Sequence, residues 1–515
     1  MTFEHTHPRI ATLARRSLRR SSGASPGEFL SHPNLARTDT RRAQPTGHLK
    51  KVMLASSSVA FSGLLAACGA TSPSSTSAAS TSAASTTKAP SVAKPPKPGT
   101  DLNDQTTTAT CHSGATKIVF WSWVPGIYRP VNLFNETHPT VCVDWVNTAA
   151  YAGQKEYVKL EAAFKAGSGV PDVVQITQGH LADLILTKHL LNLVPYGANK
   201  IKSDYVPWVW KIVSPFSNHD VYSIPQDSGP MAFLYNSTLF KKYNLAVPKT
   251  WAQFATEAAA VHKEHPGVYL ANIQQLTEMQ LFWWQTGAFP VKWSGTASLT
   301  LDYNQPAAVK AADYWQRLWS AGDLTDLSGT AETTALTRGD VLSAPAAAWY
   351  PDVYTTPGTT SGEWRIAALP QWTAGAKDNV NDGGSTDAVT TNTKHPKQAA
   401  EFAIWLNSAK ASWNLMVKPP ILLFPTVKSV LAEPSFADQK IPLTGPEELE
   451  KVYGSIANTV RTNWQWSPVQ QYTDTVITDD VDLVVQHKMT FAGLIANVQA
   501  QSVKYARSEG FTVHT

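Results

Sequence analysis

Eighteen tryptophans fall among 515 residues, and several sit close together: Trp121-Ser122-Trp123, Trp283-Trp284 and Trp464-Gln465-Trp466, with Trp349 apart. An indole offers a flat apolar face, and a pyranose ring offers a matching face of C–H groups rimmed by hydroxyls. A site for such a ring pairs aromatic platforms with carboxylates and side-chain amides around the edge. Other chemistries lack their motifs in the part of the chain expected to fold. From Cys111 onward there is no Gly-x-Ser-x-Gly elbow, no His-Glu-x-x-His metal helix and no phosphate-cradling glycine loop. No cofactor and no metal are expected.

Cysteine usage and the leader locate the chain. Lys50 and Lys51 precede sixteen small and apolar residues, Val52 to Ala67, too few for the roughly 20 that cross a bilayer as a helix. A signal-peptide core fits better. It ends in Leu65-Ala66-Ala67-Cys68, which resembles the bacterial lipobox, so Cys68 is the expected lipidation site. Ser, Thr, Ala and Pro dominate from Ala70 to Pro98 and cannot bury enough surface to offset chain entropy, as a flexible tether requires. Residues 1–49 are Arg-rich and longer than export needs; a start further downstream is expected, and the segment should be absent from the mature chain. The expected location is the extracytoplasmic face of the cell membrane.

Removing the leader reverses the charge. The chain holds 43 basic and 39 acidic residues; residues 1–67 carry ten Lys and Arg and three Asp and Glu, which leaves 33 against 36. Nothing then points to nucleic acid, which needs a clustered basic face. Cys111 and Cys142 remain as an even pair in an oxidising compartment, so a disulfide is expected.

The folded part spans about 400 residues, enough for two lobes. Lys117–Trp123 reads as a buried strand, Pro130–Thr137 as a short helix, Val141–Thr148 as a second strand and Glu156–Gly167 as an amphipathic helix. A third strand, Pro171–Ile176, precedes a helix expected to run through Leu191. This β-α-β-α-β order predicts a mostly parallel sheet with helices on both faces. Ligands gather at the carboxyl ends of such strands, here Trp121-Ser122-Trp123, Asn147-Thr148 and Thr177-Gln178.

Several stretches resemble the extracytoplasmic solute-binding proteins of ABC importers, in the sugar-binding group called family 1. They are Val170-Pro171-Asp172-Val173-Val174, Tyr222 to Pro230, Leu234 to Phe240, Val247 to Trp251, Trp364 to Pro370, Gly383-Gly384 and Lys394 to Leu406. The resemblance covers roughly Thr116 to Phe424. It implies an α/β, two-lobed periplasmic-binding-protein-like fold of type II, each lobe a mostly parallel sheet flanked by helices, joined by hinge crossings near Gly229-Pro230, Gly383-Gly384 and Leu423 to Pro425. The expected division is leader and signal peptide 1–67, tether 68–110, lobe one 111–229 and 385–424, and lobe two 230–384 and 425–515.

In that architecture the candidate ligand residues are Trp121, Trp123, Trp283, Trp284, Trp349, Trp464 and Trp466 as platforms, Asp227 and Asp352 as acceptors, Asn147 and Gln178 as amides, and the backbone at Gly383 and Gly384. The implied partners are a carbohydrate, of two or more rings, and the permease subunits of an ABC importer, with the binding chain itself a monomer. Two other classes compete. A secreted glycoside hydrolase also uses tryptophan platforms and would bring Asp227 and Asp352 together; a sugar sensor would have the same pocket without transport. Trp145, Trp251, Trp315, Trp319, Trp405 and Trp413 sit in strand or helix patterns and read as core, Thr250 as a helix cap, and Asp172 as a strand brace.

Overall fold

The structure, a computed structural model, describes residues 111–148, 154–216, 219–276, 283–328, 330–349, 363–418, 421–439 and 449–515. Cys68 and Asp352 lie outside them.

Lobe one is built on a five-stranded sheet in the order β2-β1-β3-β10-β4, with β1 Thr116–Ser122, β2 Val141–Asn147, β3 Val173–Thr177, β4 Ile224–Pro225 and β10 Ser385–Val389. β-Branched and aromatic residues fill β1, and both its neighbours run parallel to it, Thr116 opposite Val141 and Phe120 opposite Val173. The return strand β10 is antiparallel to β3 and β4. Helix α1, Tyr128–Thr137, ends just before Pro139. Its Asn135 clips the helix to β2, donating to the Val143 carbonyl at 3.0 Å and accepting the Val143 N–H at 2.7 Å. Asp172 braces the sheet: its carboxylate accepts the Val119 N–H at 2.8 Å and the Thr393 hydroxyl.

Helix α2, Gln154–Ala166, links β2 to β3. The helix after β3 is shorter than expected: α3 spans Leu181–Leu186 and stops, because Lys188 adopts φ 59° and Leu190 forms a bridge with Thr390. Tertiary pairing with the sheet edge overrides the helical pattern there. Helix α4, Pro207–Val213, follows with proline in its first turn.

Lobe two departs from the expected parallel sheet. β5 Met231–Asn236 lies between β8 Ser343–Ala347 and β9 Trp364–Ala368, antiparallel to both. A second small sheet, β11-β7-β6, joins the C-terminal strand Thr512–His514 in parallel to Ser298–Leu301, which pairs antiparallel with Val291–Trp293. Around them pack α5 Ser237–Lys242, α6 Trp251–Glu264, α7 Pro306–Ala321, α8 Thr330–Arg338, α11 Leu449–Ala457, α12 Gln470–Val485 and α13 Phe491–Ser508; α9 Pro396–Ser408 and α10 Lys410–Met416 belong to the return into lobe one. Thr250 caps α6, accepting the Gln253 N–H at 3.2 Å, and Asn236 caps α5.

Aromatic packing holds each half. In lobe one Phe402 of α9 meets Phe120 and Phe134 edge-on at 5.2 and 5.1 Å. In lobe two Trp251 meets Trp315 edge-on at 5.0 Å. Burying one such side chain contributes about 1.5–3 kcal/mol. Trp145, Trp251, Trp315 and Trp413 are fully buried, while Trp319 and Trp405 are partly covered against the same cores. The first core continues through Phe424, Phe436 and Tyr453 onto one face of the β8-β5-β9 sheet, so the two lobes share apolar contact at the hinge. Cys111 and Cys142 lie as a disulfide pair, Cα atoms 5.5 Å apart, fastening the start of the domain to β2.

Candidate functional site

The chain crossings lie side by side. Asp227 bridges Pro425 and Pro230 bridges Asn381, with the Asp382 N–H on the Gly229 carbonyl at 2.8 Å and the Ser228 N–H on the Phe424 carbonyl at 3.3 Å. Side chains stitch them further. Asn381 accepts the Gly229 N–H at 2.8 Å, and the Asp227 carboxylate accepts the Ser385 N–H at 2.7 Å together with the Ser385 hydroxyl. Gln178 donates to the Asp227 carbonyl at 3.0 Å, and the Trp349 indole donates to the Asp382 carbonyl at 3.1 Å. Gly383 and Gly384 take φ 66° and 90°, which other residues adopt only with strain. A Cβ at Gly384 would lie 2.6 Å from the Gln178 amide nitrogen.

Behind the crossings runs a buried polar column that the sequence reading missed. The Ser122 hydroxyl and the Trp123 N–H donate to the Gln175 carbonyl oxygen at 2.7 and 3.1 Å. The Gln175 amide donates to Gln226 at 2.8 Å; Gln226 and Asn407 in turn donate to Asp387, each at 2.8 Å. Burial pushes the Asp387 carboxyl up to about 7 and raises Asp227 as well. Polar residues interrupting apolar strands were the available signal.

Between the lobes lies a narrow aromatic cleft of about 30 Å³, close to one water molecule's share. Gln178 lies at one end. Lobe one contributes α3 and α4 through Leu181, Ile185 and Trp208; lobe two contributes Trp293, Trp464 and Trp466. The platform is rigid. Trp284 stacks on Trp464 at 4.2 Å with 13° between planes, and Trp466 stands edge-on to Trp284 at 4.8 Å. Gln465 fixes the loop by exchanging two 2.9 Å hydrogen bonds with the Trp293 backbone. The indole N–H groups of Trp464 and Trp466 are buried and have no acceptor among the described residues.

The other predicted residues divide. Gln178, Trp464 and Trp466 line the cleft; Gly383, Gly384 and Trp349 form the hinge beside it. Trp284 is buried and touches the cleft only through the rings it supports. Trp123 and Asn147 are partly buried at the ends of β1 and β2. Trp283 is packed into the lobe-two core with its N–H on the Tyr303 carbonyl at 3.2 Å, and Trp121 is buried beneath Lys159, whose Nζ lies 4.7 Å from the ring centre. Neither indole lines the cleft; both pack inside the folded lobes. Asp227 spends one carboxylate oxygen, Oδ1, on the Ser385 N–H and hydroxyl at the crossing. Two acidic residues went unread: Asp382, partly buried at the crossing and pushed up to about 7 by burial, and Glu156, fully buried beside Thr148 and pushed up to about 8 by burial.

The sequence matches the family of bacterial extracellular solute-binding proteins over residues 121–413, more than half the chain. The chain is a member of that family. Its lobes agree with solved binding proteins: one from Bifidobacterium longum, the galacto-N-biose-/lacto-N-biose I-binding protein of an ABC transporter in complex with lacto-N-biose, is 23% identical with a TM-score of 0.66, covering 78% of this chain and 99% of that one. The GacH receptor of Streptomyces glaucescens, solved unliganded and with acarbose, gives 20% and 0.62, covering 77% and 100%. The multiple sugar-binding protein of Streptococcus mutans is 25% identical over 222 residues, 38% of this chain and 49% of that protein. The chain thus spans about half the length of that curated relative. This solute-binding protein has the type II, two-lobed α/β fold and belongs outside the cytoplasm, as its family does.

Proposed function

We propose that this solute-binding protein captures a carbohydrate of two or more rings between its lobes, holds it unaltered, and delivers it to the permease of an ABC importer while tethered to the membrane through a lipid on Cys68. The carrying observation is the interlobe cleft walled by Trp208, Trp293, Trp464 and Trp466, which must widen as the lobes part to admit a ring. Stacking on apolar ring faces plus hydrogen bonds to hydroxyl oxygens is what such a wall supplies. The binding of lacto-N-biose and acarbose by proteins of the same fold supports the reading. Catalysis is tested by looking for a hydrolysis product, since a glycoside hydrolase needs a second carboxylate facing Asp227 across the sugar. Lobes 111–229 with 385–424, and 230–384 with 425–515, are the moving bodies we propose, pivoting at the stitched crossings. The Cys111–Cys142 bond suits the oxidising exterior.

A thermal-shift panel of β-1,6-galactobiose, lacto-N-biose, maltose and acarbose tests capture. A bound sugar at 100 times its dissociation constant adds about 2.7 kcal/mol. Trp466→Ala should weaken binding of the responding sugar by about tenfold, roughly the worth of one stacked ring; unchanged affinity removes the aromatic wall from the site, and a hydrolysis product makes the protein an enzyme. Cys68→Ala should release a soluble chain that still binds, whereas continued membrane retention argues against the lipid.

A further inference from the structure

Lobe two presents the start of α12 to lobe one, directly after the Trp464–Trp466 loop. The first N–H groups of a helix have no partner within it, and the residue at the cap position, Val469, has no side-chain acceptor to offer. Asp183 of α3, in the opposite lobe, takes that role. The Gln470 N–H is shared between the Ser467 carbonyl at 3.2 Å and one Asp183 oxygen at 3.3 Å, and the other Asp183 oxygen accepts the Gln471 N–H at 3.3 Å. The same contact is extended by Gln470, whose amide donates to Asp474 at 2.7 Å, and by Gly179, where a Cβ would lie 3.7 Å from the Trp466 ring.

We infer that Asp183 is an interlobe latch, a positioning residue that caps a helix of the opposite lobe, seats the Trp464–Trp466 wall against lobe one, and takes up a proton as the lobes close. The cap can form only when the lobes meet, so whatever stabilises it stabilises the closed form. Around the carboxyl stand Asp474 of α12, Glu161 and Tyr157 of α2 and Tyr505 of α13. No cation is among the groups acting on it. Burial, reinforced by Asp474, pushes Asp183 up to about 8, and burial pushes Asp474 up to about 6. With the lobes apart Asp183 returns toward its ordinary value of 3.8. The closed form therefore holds a proton that the open form releases. Closing is most favourable at low pH, loses up to about tenfold in its equilibrium constant per pH unit on the way up to about 8, and levels beyond. Above about pH 6.5 Asp474 has largely ionised, but Glu156, Asp382 and Asp387 still titrate, so the part of the slope that belongs to Asp183 is the part removed by Asp183→Asn.

The inference uses the sugar-capture reading only for its effect on affinity, so the decisive readout needs no sugar. Amide exchange of residues 470–473, corrected for the intrinsic pH dependence of exchange, is measured between pH 6.5 and 8.5 in the wild type, Asp183→Asn and Asp183→Ala. In the wild type, protection should fall with rising pH and level above 8. Asp183→Asn, which keeps an acceptor oxygen without a titrating group, should stay protected and lose that part of the slope; Asp183→Ala should exchange about tenfold faster throughout. A slope as steep in Asp183→Asn as in the wild type overturns proton coupling, and full protection in Asp183→Ala overturns the latch. Should the alanine variant fail to fold, Asp183→Asn decides by itself. The sugar that responds in the panel above should lose affinity with the same slope. If none responds while exchange behaves as expected, sugar capture fails and the latch stands.

Discussion

At the scale of single residues, the hinge is specified by groups that have little room to change. Gly384 combines φ 90° with a Cβ position 2.6 Å from the Gln178 amide nitrogen and 2.8 Å from the Asp227 carbonyl oxygen. Both contacts belong to the stitching, so neither neighbour can withdraw without breaking a hydrogen bond. Gly384→Ala should cost roughly 1–3 kcal/mol through backbone strain and displacement. Urea unfolding measures it, and a midpoint within error of the wild type would show that the crossing relaxes freely. Gln178 has a double position. It lines the cleft and it holds the Asp227 carbonyl, so its removal should change affinity and hinge together. Asp227, expected to grip ligand, gives one carboxylate oxygen to Ser385 at the crossing.

At the scale of elements, much of lobe one was legible. Strands β1 to β3 announce themselves because β-branched and aromatic residues run in short blocks bounded by Pro and Gly, and parallel order follows from the helices between them. Thr250 was readable as a cap because it acts on the first turn of its own helix, whereas the Asp172 brace reaches Val119 and Thr393, far along the chain on either side. What failed depends on partners far along the chain. α3 stops early because Leu190 pairs with Thr390, two hundred residues away. Lobe two's central sheet is antiparallel because β8 and β9 reach β5 across long insertions, and local periodicity carries no sign of strand direction. The tryptophan pairs show the same division. Composition pointed to an indole-walled site, but only the fold shows that Trp283 turns to Tyr303 while Trp284 supports Trp464. Trp208 and Trp293, both in the wall, were passed over: Trp293 stands alone, while Trp208 pairs with Trp210 at the spacing of Trp121 with Trp123 and Trp464 with Trp466, and sequence spacing does not tell which pair reaches a cleft.

At the scale of the whole molecule, the buried carboxyls share one sign. Burial pushes Glu156 up to about 8 and Asp382 and Asp387 each up to about 7. For a group raised on folding, the stabilising contribution is complete below its unfolded value and is lost as pH rises through the folded one. The window here runs from about 4 to about 8. Thermal unfolding should accordingly show a higher midpoint at pH 5 than at pH 8. Equal midpoints would mean that solvent or counter-charge reaches these groups in the folded protein. The Cys111–Cys142 pair adds a pH-independent restraint at the start of the domain.

The crossing at Gly229 also limits how this protein can be rebuilt. A Cβ there would fall 1.9 Å from the Asp382 carbonyl oxygen and 2.9 Å from the Trp349 indole nitrogen. Randomised libraries aimed at new specificities should therefore leave 229 fixed and draw their diversity from the indole wall, where shape can vary without disturbing the pivot.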